Sequence, residues 1–119
     1  MYHKDLEVWK KSIELVKITY KLTETFPKSE VFGLTGQMRR AAVSIPSNIA
    51  EGAARFSDNE TLRFIDIAIG SLAELETQVI ISCELQLINN IDEIMIIIKN
   101  VSALLIGLRK HLAKEKTKY

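Results

Sequence analysis

The sequence predicts an all-α chain: an antiparallel, up-down-up-down four-helix bundle with a proline-kinked second helix. Three observations carry this. Apolar residues recur at alternating steps of three and four through four separate stretches. Turn and cap residues fall at the joints between those stretches. No alternating run flanks an Asn-Gly or Asp-Gly turn, so strand signals are weak.

The first helix is expected from about Lys4 to Thr25, with Leu6, Trp9, Ile13, Val16 and Tyr20 as its inward stripe. Phe26-Pro27 closes it, because a residue before proline avoids the helical region. Gly33 breaks the chain before the second helix, about Leu34 to Ala54, whose apolar face is Leu34, Met38, Ala41, Ile45, Ile49 and Gly52. Pro46 lies in the middle of that helix, where it removes an N–H and crowds the carbonyl one turn back. The apolar face continues beyond it, so a kink is expected rather than an end. Ser57 with Glu60 forms an S-x-x-E cap for a third helix reaching about Leu87. Asn89-Asn90 makes the next turn, and Asn90 with Glu93 repeats the cap signal. The fourth helix, about Ile91 to Ala113, carries Ile94, Ile98, Val101, Leu105, Leu108 and Leu112 inward. Residues 114–119 read as a basic tail that frays.

The chain's 119 residues make one domain with room for a sizeable core. A lone cysteine, Cys83, gives no internal disulfide framework, and its place on the third apolar stripe predicts a buried, inert thiol. The opening MYHKDLEVWKK has no apolar signal core, and no run approaches the roughly 20 apolar residues of a membrane span. The expected location is therefore the cytoplasm, with no membrane partner. Net charge is only +1, yet it is unevenly spread. Residues 1–55 hold nine Lys/Arg against six Asp/Glu, residues 56–98 one against eight, and residues 99–119 six against one. Such asymmetry fits a nucleic-acid face, and equally helix faces that pair with one another or between subunits.

The chemistry-bearing residues argue against catalysis. A di-metal bundle needs Glu-x-x-His motifs, and neither His3 nor His111 follows a glutamate by three. One cysteine and two histidines near chain or helix ends suit neither zinc nor a Ser/His/Asp site. The five glycines form no phosphate loop. No catalytic residue, metal, cofactor or small-molecule substrate is expected.

Glu76 falls within the stripe Ile65, Ile69, Leu72, Val79 and Cys83, where a carboxylate must be paired or protonated. Counting across the turns puts Gln37, Arg40 and Tyr20 at its level. The expectation is a structural polar core of Gln37, Arg40, Asn48 and Glu76, with a Glu76–Arg40 pair at its centre. Asn48, helped by Ser44 and Ser47, is expected to bond carbonyls freed by Pro46. Glu51 is expected to pair with Arg55 one turn later. Lys10, Lys17, Lys21, Arg39 and Arg55 are the candidate nucleic-acid contacts, directed at backbone and shape, since aromatic interleaving is sparse. Met95, Ile96, Ala103 and Ile106 lie off the fourth helix's main stripe, so Met95, Ile96 and Ile106 are the candidate oligomer contacts.

The runs RRAAVSIPSNIAEG at 39–52 and GSLAELETQ at Gly70–Gln78 closely resemble the bacterial four-helix-bundle proteins encoded in 23S rRNA intervening sequences. The accessory variability proteins of diversity-generating retroelements are similar. The resemblance extends from about Leu6 to Leu112 and makes Asn48, Glu51, Gly52, Ser71, Glu74 and Glu76 signature positions. It implies the four-helix fold, a ring-shaped homopentamer, and structured RNA or a reverse transcriptase as partner. The expected function is thus a non-catalytic, oligomeric RNA- or nucleic-acid-binding accessory protein. The alternative is a protein–protein interaction scaffold that binds no nucleic acid.

Overall fold

Helices α1 (Glu7–Thr23), α2 (Gly36–Ala53), α3 (Asp58–Glu84) and α4 (Asp92–Thr117) build the chain in the computed structural model, which describes residues 1–117. They form an elongated body of 51 × 23 × 20 Å. Each helix packs on its neighbours in sequence, and α1 also packs on α4, closing a four-sided bundle. Met38 meets Ser82, Ser44 meets Ser71 and Gly52 meets Thr61, so rising numbers on α2 pair with falling numbers on α3. Asp66 of α3 meets Arg109 of α4, and Thr23 of α1 meets Arg39 of α2.

The ends of the helices follow from local chemistry. Ser57 caps α3 by accepting a hydrogen bond from the Glu60 N–H at 3.2 Å. The Glu60 carboxylate turns instead to Arg63 at 3.1 Å, so only half of the expected capping box forms. Helix α3 stops at Glu84, short of Leu87, because Gln86 takes φ 63°. The N–H groups of Gln86 and Leu87 then bond back to the carbonyls of Cys83 and Ser82, a left-handed C-terminal cap with glutamine where glycine is usual. Asn90 acts just before α4, its Oδ1 accepting from the Asp92 N–H at 2.9 Å. Between α1 and α2, Phe26 is buried and the chain makes two short helical turns. Gly33 is the non-helical residue there, as its composition signal predicts. The segment expected to fray is helical from 114 to 117; residues 118 and 119 lie outside the described residues.

Helix α2 runs through Pro46 without interruption to Ala53. Asn48 Nδ2 donates to the Ser44 carbonyl and hydroxyl at 2.8 and 2.9 Å, and Ser47 Oγ donates to the Val43 carbonyl at 2.8 Å. The carbonyl that Pro46 deprives of a donor is that of Ala42, four residues back. The polar side chains therefore bond its successors, one and two residues on, rather than the freed group. Asn48 is half-buried on the edge of the core.

The core of α2 and α4 is mostly the one periodicity predicts; Leu34, which precedes α2, and Leu108 are half-buried instead. Met38, Ala41, Ile45, Ile49 and Gly52 are buried, as are Ile94, Ile98, Val101, Leu105 and Leu112. Helix α1 is rotated by one residue from expectation, and α3 by less, since Ile65, Leu72 and Val79 are buried as expected while Ile69 is half-buried. The buried residues of α1 are Val8, Ser12, Leu15, Thr19 and Thr23, while Leu6, Trp9, Ile13 and Val16 are half-buried and Tyr20 is exposed. Ser12, Thr19 and Thr23 tolerate burial because each hydroxyl donates to a carbonyl three or four residues back, at 2.7 to 2.8 Å. In α3 the seam is Thr61, Ile65, Ala68, Leu72, Leu75, Val79 and Ser82, a strict alternation of four and three. Cys83 lies one position past that seam and is half-buried rather than fully enclosed.

The same rotation undoes the expected Glu76–Arg40 pair. Glu76 stands one residue, about 100° of turn, past the fully buried Leu75, and lines the groove between α3 and α4 beside Ile98, Lys99 and Ser102. Arg40 and Gln37 are exposed on α2, away from that groove. No buried polar constellation of Gln37, Arg40 and Glu76 forms.

Candidate nucleic-acid interface

Lys10, Lys17 and Lys21 share one exposed flank of α1, spaced by seven and four residues so that the helix brings them into line. None has an ion-pair partner within 4 Å among the described residues. Glu14, which falls between them, is taken by Lys11 at 3.3 Å. The flank's amines are therefore free to meet an external anion.

The arginines divide differently. Arg39 does not point into solvent. Its Nε donates to Thr23 Oγ1 at 2.9 Å, its Nη2 donates to the Tyr20 carbonyl at 3.3 Å, and its guanidinium lies 4.4 Å from the Tyr20 ring centre. It clasps α1 to α2, and is half-buried in doing so. Arg55 forms the expected pair with Glu51 at 3.4 Å and also covers the Phe64 ring at 4.8 Å. Both contacts are on the surface, so its charge is partly engaged there.

Arg40 is the arginine left free. It is exposed, with no carboxylate within 4 Å among the described residues. Its Nη1 folds back over the first turn of α2, where a Cβ on Gly36 would stand 3.0 Å away. Tyr20, Gly36, Arg39, Arg40, Val43 and Ser44 together line a groove of about 470 Å³ on the α1–α2 side. The adjacent arginines were legible in the sequence; their division between clasp and groove was not, because it depends on how α2 is rotated against α1.

On the opposite side, Arg109 Nε donates to Asp66 Oδ1 at 2.6 Å. That hydrogen bond, reinforced by the carboxylate's charge, holds the guanidinium above its usual pKa. Ile96 and Ile106 are 59% and 43% exposed on α4, as their position off its seam predicts. Met95 departs from that expectation: it is half-buried and packs on the chain's own core. Among the described residues, no three His, Cys, Asp or Glu side chains gather as a metal site, and no helix is long and apolar enough to cross a membrane.

No curated protein matches the chain. The family model described as 23S rRNA-intervening sequence protein matches residues 4–107, which takes in both signature runs and most of all four helices. A match over that span, on a four-helix framework, means that the chain belongs to the 23S rRNA-intervening sequence protein family.

Proposed function

We propose that this protein is a non-catalytic, self-associating RNA-binding accessory protein of the cytoplasm, and that RNA meets it along α1. The observation that carries the reading is the exposed flank of Lys10, Lys17 and Lys21, which has no counter-charge within ion-pair distance among the described residues. Family membership supports it through the family's name alone. Three lysines on one subunit make a weak contact. Repetition of the flank in a ring, the homopentamer that the sequence resemblance implies, multiplies it by raising effective concentration. A structured RNA is the favoured partner, and a reverse transcriptase in complex with such an RNA is compatible with it.

A second reading, a protein scaffold that binds no nucleic acid, is favoured by a different observation. Ile67, Ile80 and Ile81 of α3 and Ile96 and Ile106 of α4 all leave large apolar surface outside the bundle.

A gel-shift titration with a structured RNA at about 50 mM salt, where phosphate contacts are strong, separates the two. The parent is expected to retain RNA, with log affinity falling linearly in log salt by about 0.7 to 0.9 per phosphate neutralised. Lys10→Glu, Lys17→Glu and Lys21→Glu combined should abolish retention at unchanged helicity and assembly. Absence of retention by the parent ends the RNA reading in favour of the scaffold.

A further inference from the structure

We propose that the groove between Tyr20 and the outer face of α2 is a nucleotide subsite, in which Arg40 and the free edge of Arg39 hold a phosphate in an unpaired segment of a structured RNA. The proposal deepens the RNA reading and rests on it.

The groove's lining is cationic with no opposing acid. Arg39 and Arg40 are its charged members, and none of Tyr20, Gly36, Val43 or Ser44 carries a carboxylate. Glu74, on the side of α3 that Gln78 shares, accepts a hydrogen bond from Gln78 Nε2 at 3.3 Å. Two guanidiniums beside one cavity repel each other, and an anion between them removes that cost. Arginine is the side chain best matched to phosphate, because its planar fork donates two parallel hydrogen bonds.

The two arginines are also differently prepared. Arg39 is fixed on three sides, by Thr23, by the Tyr20 carbonyl and by the Tyr20 ring. Its Nη1 edge makes no hydrogen bond within the described residues and needs little further ordering to take a ligand. Arg40 is mobile in principle, being exposed, but Gly36 provides the space into which its guanidinium lies back. A side chain at position 36 would occupy that space. The remaining walls, the half-exposed Tyr20 ring and Val43, are apolar and suit a sugar or base better than water. A volume of about 470 Å³ lies within the range of small-ligand sites. Tyr20 sits between Lys17 and Lys21 in sequence, so a strand following the lysine flank passes the mouth of the groove.

The test titrates the full-length protein with AMP, adenosine, inorganic phosphate and an oligoglutamate, following backbone amide shifts by NMR. AMP is expected to shift Tyr20, Gly36, Val43 and Ser44, and adenosine and phosphate to bind about tenfold more weakly because each lacks one half of the contact. Arg40→Gln should weaken AMP about tenfold and lower the salt slope for RNA by about one phosphate's worth. Val43→Asp, which places an acid at the mouth, should weaken AMP similarly at unchanged helicity. RNA binding that depends on the α1 lysines but ignores both variants overturns the subsite and leaves the RNA reading standing. AMP binding that depends on Arg40, in a protein that does not retain RNA, removes the RNA reading and overturns RNA as the groove's occupant. Equal displacement by oligoglutamate, or AMP shifts scattered outside the groove, overturns the subsite.

Discussion

Replacing Gly52 with alanine tests a close approach between α2 and α3. A Cβ built there stands 3.0 Å from Phe64 Cβ and 3.2 Å from the Thr61 carbonyl oxygen, both atoms fixed by the α3 backbone. Neither can move away by rotating a side chain, so the helices must separate by a few tenths of an ångström. Helix propensity alone favours alanine by about 0.8–1.0 kcal/mol. Overpacking a well-filled contact costs about 1–3 kcal/mol. Separation also stretches the buried bond from Thr61 Oγ1 to the Gly52 carbonyl, now 2.8 Å, whose net worth is about 1 kcal/mol. The balance is a loss of about 1–2 kcal/mol, or roughly 3–8 °C in Tm for a chain of this size. Gly70 and Gly107 supply the internal control. Both lie within helices and neither has an atom within 4 Å of a built Cβ, so Gly70→Ala and Gly107→Ala should gain up to about 1 kcal/mol. Urea denaturation followed by circular dichroism, at one fixed protein concentration, gives all three values. If Gly52→Ala stabilises like the other two, α2 and α3 do not approach as described and the argument is wrong.

Arg39→Ala should cost about 1–2 kcal/mol, since it removes two hydrogen bonds from a charged donor and the contact with the Tyr20 ring. Arg39→Lys should recover little of this, because an ammonium has no fork; thermal melts check both, and a parent-like Arg39→Ala removes the clasp. Glu76→Ala should change stability by no more than about 0.5 kcal/mol, as expected of a half-buried side chain with no ion-pair partner among the described residues. A loss of 3–5 kcal/mol in the same melt, the cost of breaking a buried pair, would put Glu76 back in the core. Ile96→Lys and Ile106→Lys should shift the protein towards monomer in sedimentation or light scattering without loss of helicity. A parent already monomeric at high concentration would show that their exposure serves no self-association.

The departures of structure from sequence-based expectation share one form. In α1 the expected Trp9, Ile13, Val16 and Tyr20 give way to Val8, Ser12, Leu15 and Thr19. In α3 Ile69, Glu76 and Cys83 give way to Ala68, Leu75 and Ser82. In α2 Arg39, not Arg40, reaches a partner helix. Each swaps a residue for its neighbour; in α1 the whole face turns by about 100°, whereas α3 keeps Ile65, Leu72 and Val79 in its seam and α2 keeps most of its core face. Periodicity establishes that a helix is amphipathic, and it ranks faces by apolar content. It does not register that a serine or threonine bonded to its own helix's carbonyl has met its polar demand and packs as a small core residue. Ser12, Thr19, Thr23 and Ser82 do this, so the narrower face wins the seam. Helices α2 and α4 offered no such choice: their inward positions hold no serine or threonine, and expectation and structure agree except at the half-buried Leu34 and Leu108.

That choice of seam has a consequence for the outside of the molecule. Small residues at the centre, such as Ala41, Ala42, Ala68 and Gly52, draw α2 and α3 together and leave less interior to be filled. The larger apolar side chains one step round are then displaced to the flanks. Tyr20, Ile67, Ile80 and Ile81 of α1 and α3 are each more than 40% exposed, as are Ile96 and Ile106, which lie off the seam of α4. A chain selected only to fold alone would place isoleucine at the seam and serine on the flank, since burying a whole isoleucine stabilises by about 1.5–3 kcal/mol. The reverse arrangement spends that stabilisation on surfaces of α3 and α4 that the bundle does not cover. It leaves the side of α1 that carries Lys10, Lys17 and Lys21 charged and wet. Apolar flanks on one pair of helices and a lysine flank on another are what a subunit needs in order to join copies of itself through the first surface and present the second.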